Sequence, residues 1–204
     1  DGEFFEQHGF AVTISVDGPR DVLYRLRPTK GGRGSYDRIM ENVHPLLAIQ
    51  QGMQVSVRVT VTPANLMLRT TLDQLIAEGF HSVGFAPLLN APSGKGEMHR
   101  EDLELMLGTV IGCGWEYERR VRVGERYPFA NMVNAMKEIA RGTHRPYPCG
   151  AGAGYLGVSA DGELAACHRF VGDSEGNLGS LHRGIDRGRQ AAWLHARHVH
   201  RQAP

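Results

Sequence analysis

The sequence predicts an α/β fold for its first half, with parallel strands joined by crossover helices as a barrel or an open sheet. Three observations carry that expectation. Residues 1–90 alternate β-rich runs with helical apolar spacing, in the order strand, helix, strand, helix, strand. The run Val55-Ser56-Val57-Arg58-Val59-Thr60-Val61-Thr62 alternates strictly, with four valines on one face and Ser56, Arg58, Thr60 and Thr62 on the other. Turn chemistry closes the first and third runs, Asp17-Gly18-Pro19 after one and Pro87 after the other.

Each element has its own signal. Phe10 to Val16 is a short β-rich strand. A glycine-rich loop, Lys30-Gly31-Gly32-Arg33-Gly34, precedes Ser35, which is placed to cap a helix carrying Ile39, Met40, Val43, Leu46 and Leu47 at helical spacing. The strand 55–62 is followed by a helix with Leu68, Leu72, Leu75 and Ile76 that ends at Gly79, a natural residue just past a helix terminus. His81 to Ala86 is the third strand. Helical patterns over Glu101–Ile111 and Phe129–Ala140 follow a Pro/Gly/Ser loop. Composition shifts near residue 142. From there Tyr155–Ser159 and Glu163–Cys167 flank Asp161-Gly162, a hairpin signal. The last 20 residues look helical, with Trp193 and Leu194 among Arg and His.

Composition bounds the function. The 204 residues carry 23 Lys plus Arg against 22 Asp plus Glu, a net charge of +1, which argues against a nucleic-acid binder. No apolar run approaches the length of a membrane span. The 26 glycines are about twice the usual share of roughly 7%. Three cysteines, Cys113, Cys149 and Cys167, are too few for a disulfide scaffold or a self-contained four-cysteine site, and they fit a reducing, cytoplasmic setting.

Five features are candidates for chemistry. Ser15 and Asp17 sit at a strand end, where parallel α/β folds bind ligands, although Asp17-Gly18 also reads as a plain turn. Arg58 stands in an apolar strand, either facing an anion inside a barrel or reaching into water. The 30–34 loop fits no phosphate-binding spacing and reads more simply as a mobile loop. Cys149 and Cys167, spaced C-x12-G-x4-C and flanked by glycines, could ligate a metal or iron–sulfur cluster, or be buried and inert. His195 and His198 would share a helix face, but they lie on a basic stretch without a carboxylate partner. A zinc site from Cys149, Cys167 and His144 or His168 is a further option.

The segment CGAGAGYLGVSADGELAACHRFVG, with NLGSLHRG downstream, resembles the opening half of the SPASM domain of radical S-adenosylmethionine enzymes. ISVDGP, RLRPTKGGRGSYDRIMENV, VSVRVTVTPAN and GFHSVGFAPL look like strands four to six of the partial barrel of the same enzymes. The resemblance implies the second half of a (β/α)6 TIM barrel over 1–98, a helical linker over 99–142, and part of a SPASM auxiliary iron–sulfur domain over 143–204. It implies S-adenosylmethionine and 4Fe-4S clusters as cofactors. The methionyl part of the cofactor would be bound by Ser15 and Asp17, its carboxylate by Arg58 or Arg27, and its adenine near Phe85. Cys149 and Cys167 would ligate an auxiliary cluster.

The implied activity is modification of a peptide or protein substrate by a carbon radical. His168 stands where sulfatase-maturing members carry an aspartate. Cys167-His168-Arg169 is closer to thioether-forming and quinohemoprotein-maturing types, and sulfatase maturation is the alternative. The CxxxCxxC loop of the radical cluster would precede residue 1 and the remaining SPASM cysteines would follow residue 204, so the chain is expected to be the middle of a longer enzyme, without radical chemistry of its own. The competing class is a non-catalytic peptide-binding module.

Overall fold

In the computed structural model the described residues are 2–91, 93–142, 146, 147 and 149–201. They fall into two compact units, residues 1–141 and 142–204.

The first unit is built on three parallel strands, β1 (Ala11–Ser15), β2 (Gln54–Val61) and β3 (Ser82–Pro87), in the order β1-β2-β3. A short helix α1 (Gly2–Gln7) leads in, α2 (Arg20–Leu26) and α3 (Tyr36–Ile49) cross from β1 to β2, and α4 (Leu68–Ala77) crosses from β2 to β3. The alternation of β2 decides how the sheet is used. Val55, Val57, Val59 and Val61 are all but fully buried, in one core with Leu68, Leu72 and Leu75 of α4 and Met40 and Val43 of α3. Each such side chain contributes about 1.5–3 kcal/mol of burial. The opposite face, with Ser56, Arg58 and Thr60, stays open.

Helix α4 ends as its sequence requires. Gly79 takes φ +96°, a left-handed value that is costly for a residue with a Cβ. The start of α3 differs from expectation. Ser35 is already in helical conformation, and its hydroxyl donates to the Arg27 carbonyl at 2.7 Å instead of capping. The 30–34 loop closes on itself, with Thr29 N–H donating to Arg33 O at 2.8 Å and Gly32 N–H to Thr29 O at 2.8 Å.

Beyond β3, α5 (Arg100–Arg122) and α6 (Ala130–Arg141) belong to this unit: α5 packs on α4 and α6 on β3. Helix α5 continues well past Ile111, the end of its sequence pattern. Ion pairs hold that extra length. Glu118 pairs with Arg122 at 2.7 Å, and Glu116 accepts Arg119 at 2.7 Å, Arg120 at 2.6 Å and Arg69 of α4 at 3.1 Å. Gly114 of α5 lies against Met132 of α6: a Cβ there would lie 2.7 Å from Met132 Cε.

The hydrogen bonds from Arg119 and Arg120, ahead of the nearby Arg69 charge, hold the Glu116 carboxyl at about 2, well below its ordinary value of 4.5. A carboxyl with a depressed folded value stabilises the fold above its unfolded value and loses that contribution as pH falls through the folded one. Acid unfolding is therefore expected to draw on Glu116 between pH 4.5 and about 2. In Glu116→Gln that limb of the melting temperature against pH should flatten while other carboxyls keep their share. An unchanged profile would show that the clamp does not bear on stability.

The second unit is a small four-stranded antiparallel sheet, β4 (Gly157–Val158), β5 (Glu163–Ala165), β6 (Asn177–Ser180) and β7 (Gly184–Ile185), followed by α7 (Arg187–Ala196). The Asp161-Gly162 hairpin joins β4 and β5, with Gly162 N–H donating to Ser159 O at 3.0 Å. Its core is Ala151, Ala166, Cys167, Leu178 and Trp193. Helix α7 stops at Ala196, so His198 lies beyond it and shares no helix face with His195; its ring instead meets Tyr147 edge-on at 5.6 Å.

Candidate functional site

Two groups of predicted residues come together, one in each unit. At the C-terminal ends of β1 and β2 lies a buried polar bolt. Asp17 is only 4% exposed; its Oδ1 accepts Thr60 N–H at 2.9 Å and its Oδ2 accepts Arg27 Nε at 2.5 Å. Asn65, equally buried, reaches back from the turn after β2. Its amide nitrogen donates to Asp17 O at 2.7 Å and Thr60 O at 2.9 Å, and its Oδ1 accepts Thr62 N–H at 2.7 Å and the Thr62 hydroxyl at 3.0 Å. Every hydrogen-bonding edge of the carboxylate and amide is used, as burial of such groups demands. Asp17 and Arg27, both candidate ligand contacts, thus satisfy each other. Asn65 is a residue that the sequence reading misses. Its one signal is an amide three residues past a strand-ending threonine, the spacing at which a side chain can close a turn.

On the open face the strand register aligns Ser15 with Arg58 and Arg58 with Gly84, one row across three strands. Ser15 and Arg58 are both exposed. Arg58 makes no hydrogen bond or ion pair with any described residue, so its guanidinium has donors to spare. Gly84 adds no side chain to the row. Phe85 points the other way. Its ring packs on Phe129 at 5.9 Å, and Asn131 holds its backbone, accepting from Phe85 N–H at 2.9 Å and donating to Phe85 O at 3.0 Å. The backbone groups of Phe85 are therefore spoken for, and Ser82, Gly84 and Ala86 are the β3 residues on the open face.

In the second unit the hairpin brings Cys149 and Cys167 to one place. Gly152 N–H donates to Ala166 O at 2.9 Å and to Tyr155 O at 3.1 Å, tying the turn after Cys149 to the residue before Cys167. The Tyr155 hydroxyl stands near both thiols: its pKa is raised by burial first, then by Cys149 and by Cys167. Cys149 is exposed and Cys167 buried. Helix α7 braces the turn. Trp193 Nε1 donates to Ala151 O at 2.9 Å and Gln190 Nε2 to Gly152 O at 2.7 Å. Gly157 is where backbone meets backbone, since a Cβ there would lie 2.7 Å from Cys167 C and 2.8 Å from His168 N. Gly157→Ala is expected to destabilise this unit by about 2–3 kcal/mol through overpacking. Native-state hydrogen exchange of β4 to β6 would register it, whereas unchanged protection there would mean the strands shift freely.

Cys113 is apart from the pair, buried in the first unit with its thiol pushed up to about 11 by burial. His168 is exposed, and His144 lies outside the described residues. Among the described residues no three His, Cys, Asp or Glu side chains gather as a metal site. The donor chemistry of the second unit is thus two thiols on a glycine turn rich in backbone N–H groups, which matches part of the thiolate set of an iron–sulfur cluster.

The fold and both groups of residues define an α/β unit with an open polar face at its strand ends, followed by a small β unit with a cysteine pair. Comparison with known proteins narrows this class. The chain is homologous to a serine-type anaerobic sulfatase-maturating enzyme of Klebsiella aerogenes, with 24% identity over 183 residues, covering 87% of this chain and 43% of that enzyme. It shares its fold with hexahistidine-tagged anSMEcpe with bound AdoMet, at TM-score 0.76 and 15% identity over 99% of this chain and 54% of that one. Native anSMEcpe with bound AdoMet and Kp18Cys peptide matches at TM-score 0.70 and 15% identity, over 93% of this chain and 52% of that one. No family model matches the chain. The chain therefore spans about half the length of the proteins it resembles. No helix among the described residues is long and apolar enough to cross a membrane.

Proposed function

We propose that this chain is the part of a radical S-adenosylmethionine maturase that holds the cofactor's methionyl end and begins an auxiliary iron–sulfur site, acting on a peptide or protein. The observation that carries the reading is the Ser15–Arg58–Gly84 row: a hydroxyl and a guanidinium that pairs with no described residue, side by side at the C-terminal side of a parallel sheet. The related enzyme's name and the AdoMet and peptide in the matched structures support it.

Bound there and given one electron by the radical cluster, the cofactor would supply hydrogen-abstracting carbon-radical chemistry, with methionine as the leaving group. The chain's own residues bind and orient. Arg58 would hold the cofactor carboxylate through paired N–H donors, and Ser15 would contact the methionyl group. Asp17 and Arg27 act behind them, fixing the strand ends. Gly84 and Ala86, small residues on the open face beside Phe85, would leave room for the flat adenine. Cys149 and Cys167 would supply two ligands of an auxiliary 4Fe-4S cluster, with Trp193 and Gln190 steadying their turn.

The bond formed is a finer reading. Cys167-His168-Arg169 favours crosslinking or quinohemoprotein-type maturation, while the relationship to a sulfatase-maturating enzyme favours that alternative. Anaerobic reconstitution of the full-length protein is the test. Iron–sulfur absorption and release of 5′-deoxyadenosine are expected, and neither appearing would end the proposal. Turnover of a sulfatase-derived peptide, against a short cysteine-containing one, separates the two substrate classes.

A further inference from the structure

A cavity of about 440 Å³ opens at the N-terminal side of the same sheet, where Gln54 begins β2 and Ser82 begins β3. Its wall carries His81, Arg126 and Lys137 together with Ser56, Ser82 and Asn134, and no carboxylate lines it among the described residues. Two cations, Arg126 and Lys137, beside an imidazole and with no counter-charge among these lining residues make an unusual surface, because like charges repel unless an anion joins them.

The groups are positioned and not all consumed. The Arg126 Nη2 donates to the His81 carbonyl, which anchors the guanidinium at the rim and leaves its other nitrogens as donors. Lys137, one turn along α6 from Asn134 on the same wall, makes no hydrogen bond or ion pair with any described residue. The Ser82 hydroxyl donates to Ser56 Oγ at 2.9 Å, so the Ser56 hydrogen remains to donate. Both cations act on the ring: the His81 imidazole is pulled below its ordinary value by burial first and then by Arg126 and Lys137. The other ionisable groups on the wall are the Tyr117 and Tyr127 phenols, and Tyr127 already donates its hydrogen to Asp73 at 2.8 Å.

We propose that this cavity binds an oxyanion, gripped by Lys137 and Arg126 and hydrogen-bonded by the Ser56–Ser82 pair. The Thr13–Ser56–Ser82 row lies two residues before the Ser15–Arg58 row, roughly 7 Å along the strands, so the two sites share a sheet face but not their residues. The inference does not depend on the cofactor reading. The ligand is either a carboxylate on a peptide or free inorganic phosphate, which present the same chemistry to these donors.

Titration calorimetry of the full-length protein with inorganic phosphate, and separately with a short aspartate-rich peptide, tests it. Lys137→Gln removes no hydrogen bond or ion pair with a described residue and should leave the melting temperature unchanged. It is expected to weaken binding about tenfold, the loss of one charge-assisted hydrogen bond. Arg126→Gln should act likewise. Bound anion should also raise the pH at which the His81 ring titrates by NMR, since a negative neighbour favours the imidazolium. Binding of the peptide without phosphate assigns a peptide carboxylate, whereas binding of both assigns a free anion. The proposal is overturned if neither probe binds the wild-type protein, or if both variants bind as tightly as wild type.

Discussion

Asn65→Ala is expected to lower the unfolding free energy of the first unit by about 3–5 kcal/mol, the upper range for a single substitution. The reason lies in how many partners one amide serves. Asn65 donates to the Asp17 and Thr60 carbonyls and accepts from the Thr62 N–H and hydroxyl, all buried except the Thr60 bond, which is partly buried. Alanine leaves these groups stranded, and each buried unsatisfied group costs about 1–3 kcal/mol. Asn65→Asp keeps the acceptor but turns the donor edge into an oxygen facing two carbonyls, so it should rescue little. Urea unfolding reads the result: the midpoint should fall while the slope stays constant, because the surface exposed on unfolding is unchanged. A loss under about 1 kcal/mol would show that water or neighbouring groups replace the amide, at odds with its burial.

How far the sequence announces this structure depends on the range over which each signal acts. The β2 alternation is local, and it correctly separates the buried valine face from the open polar one. The Asp161-Gly162 turn is equally local and places the β4–β5 hairpin. Signals that depend on partners distant in sequence are weaker. Ser35 carries a capping side chain, but the Arg27 carbonyl, on the far side of the glycine-rich loop, claims its hydroxyl. Helix α5 outruns its apolar pattern because Arg69, on the preceding helix α4, helps hold its polar end through Glu116. The site shows the same division. Ser15 and Arg58 could each be picked out, but their alignment needs the parallel register. Asp17 invites a ligand role until its neighbours Thr60 and Arg27, both remote in sequence, are seen to use its oxygens.

That division makes the two candidate arginines separable, and Arg58→Ala carries the larger expected functional effect. Arg27 is structural in part: its Nε is committed to a buried carboxylate, so Arg27→Ala leaves the charge of Asp17 unpaired and should lower stability. Arg58 has no such commitment and is exposed, so its removal should leave the denaturation midpoint where it was. Equilibrium dialysis of S-adenosylmethionine against the full-length protein should instead show binding weakened about 10- to 100-fold in Arg58→Ala, as expected for losing hydrogen bonds between charged groups. Arg58→Lys should restore little of it, because a single ammonium cannot present two parallel donors to a carboxylate. The reverse pattern, with Arg27→Ala abolishing binding at unchanged stability and Arg58→Ala silent, would move the carboxylate contact to Arg27. It would also mean that Asp17 releases that guanidinium when the cofactor arrives.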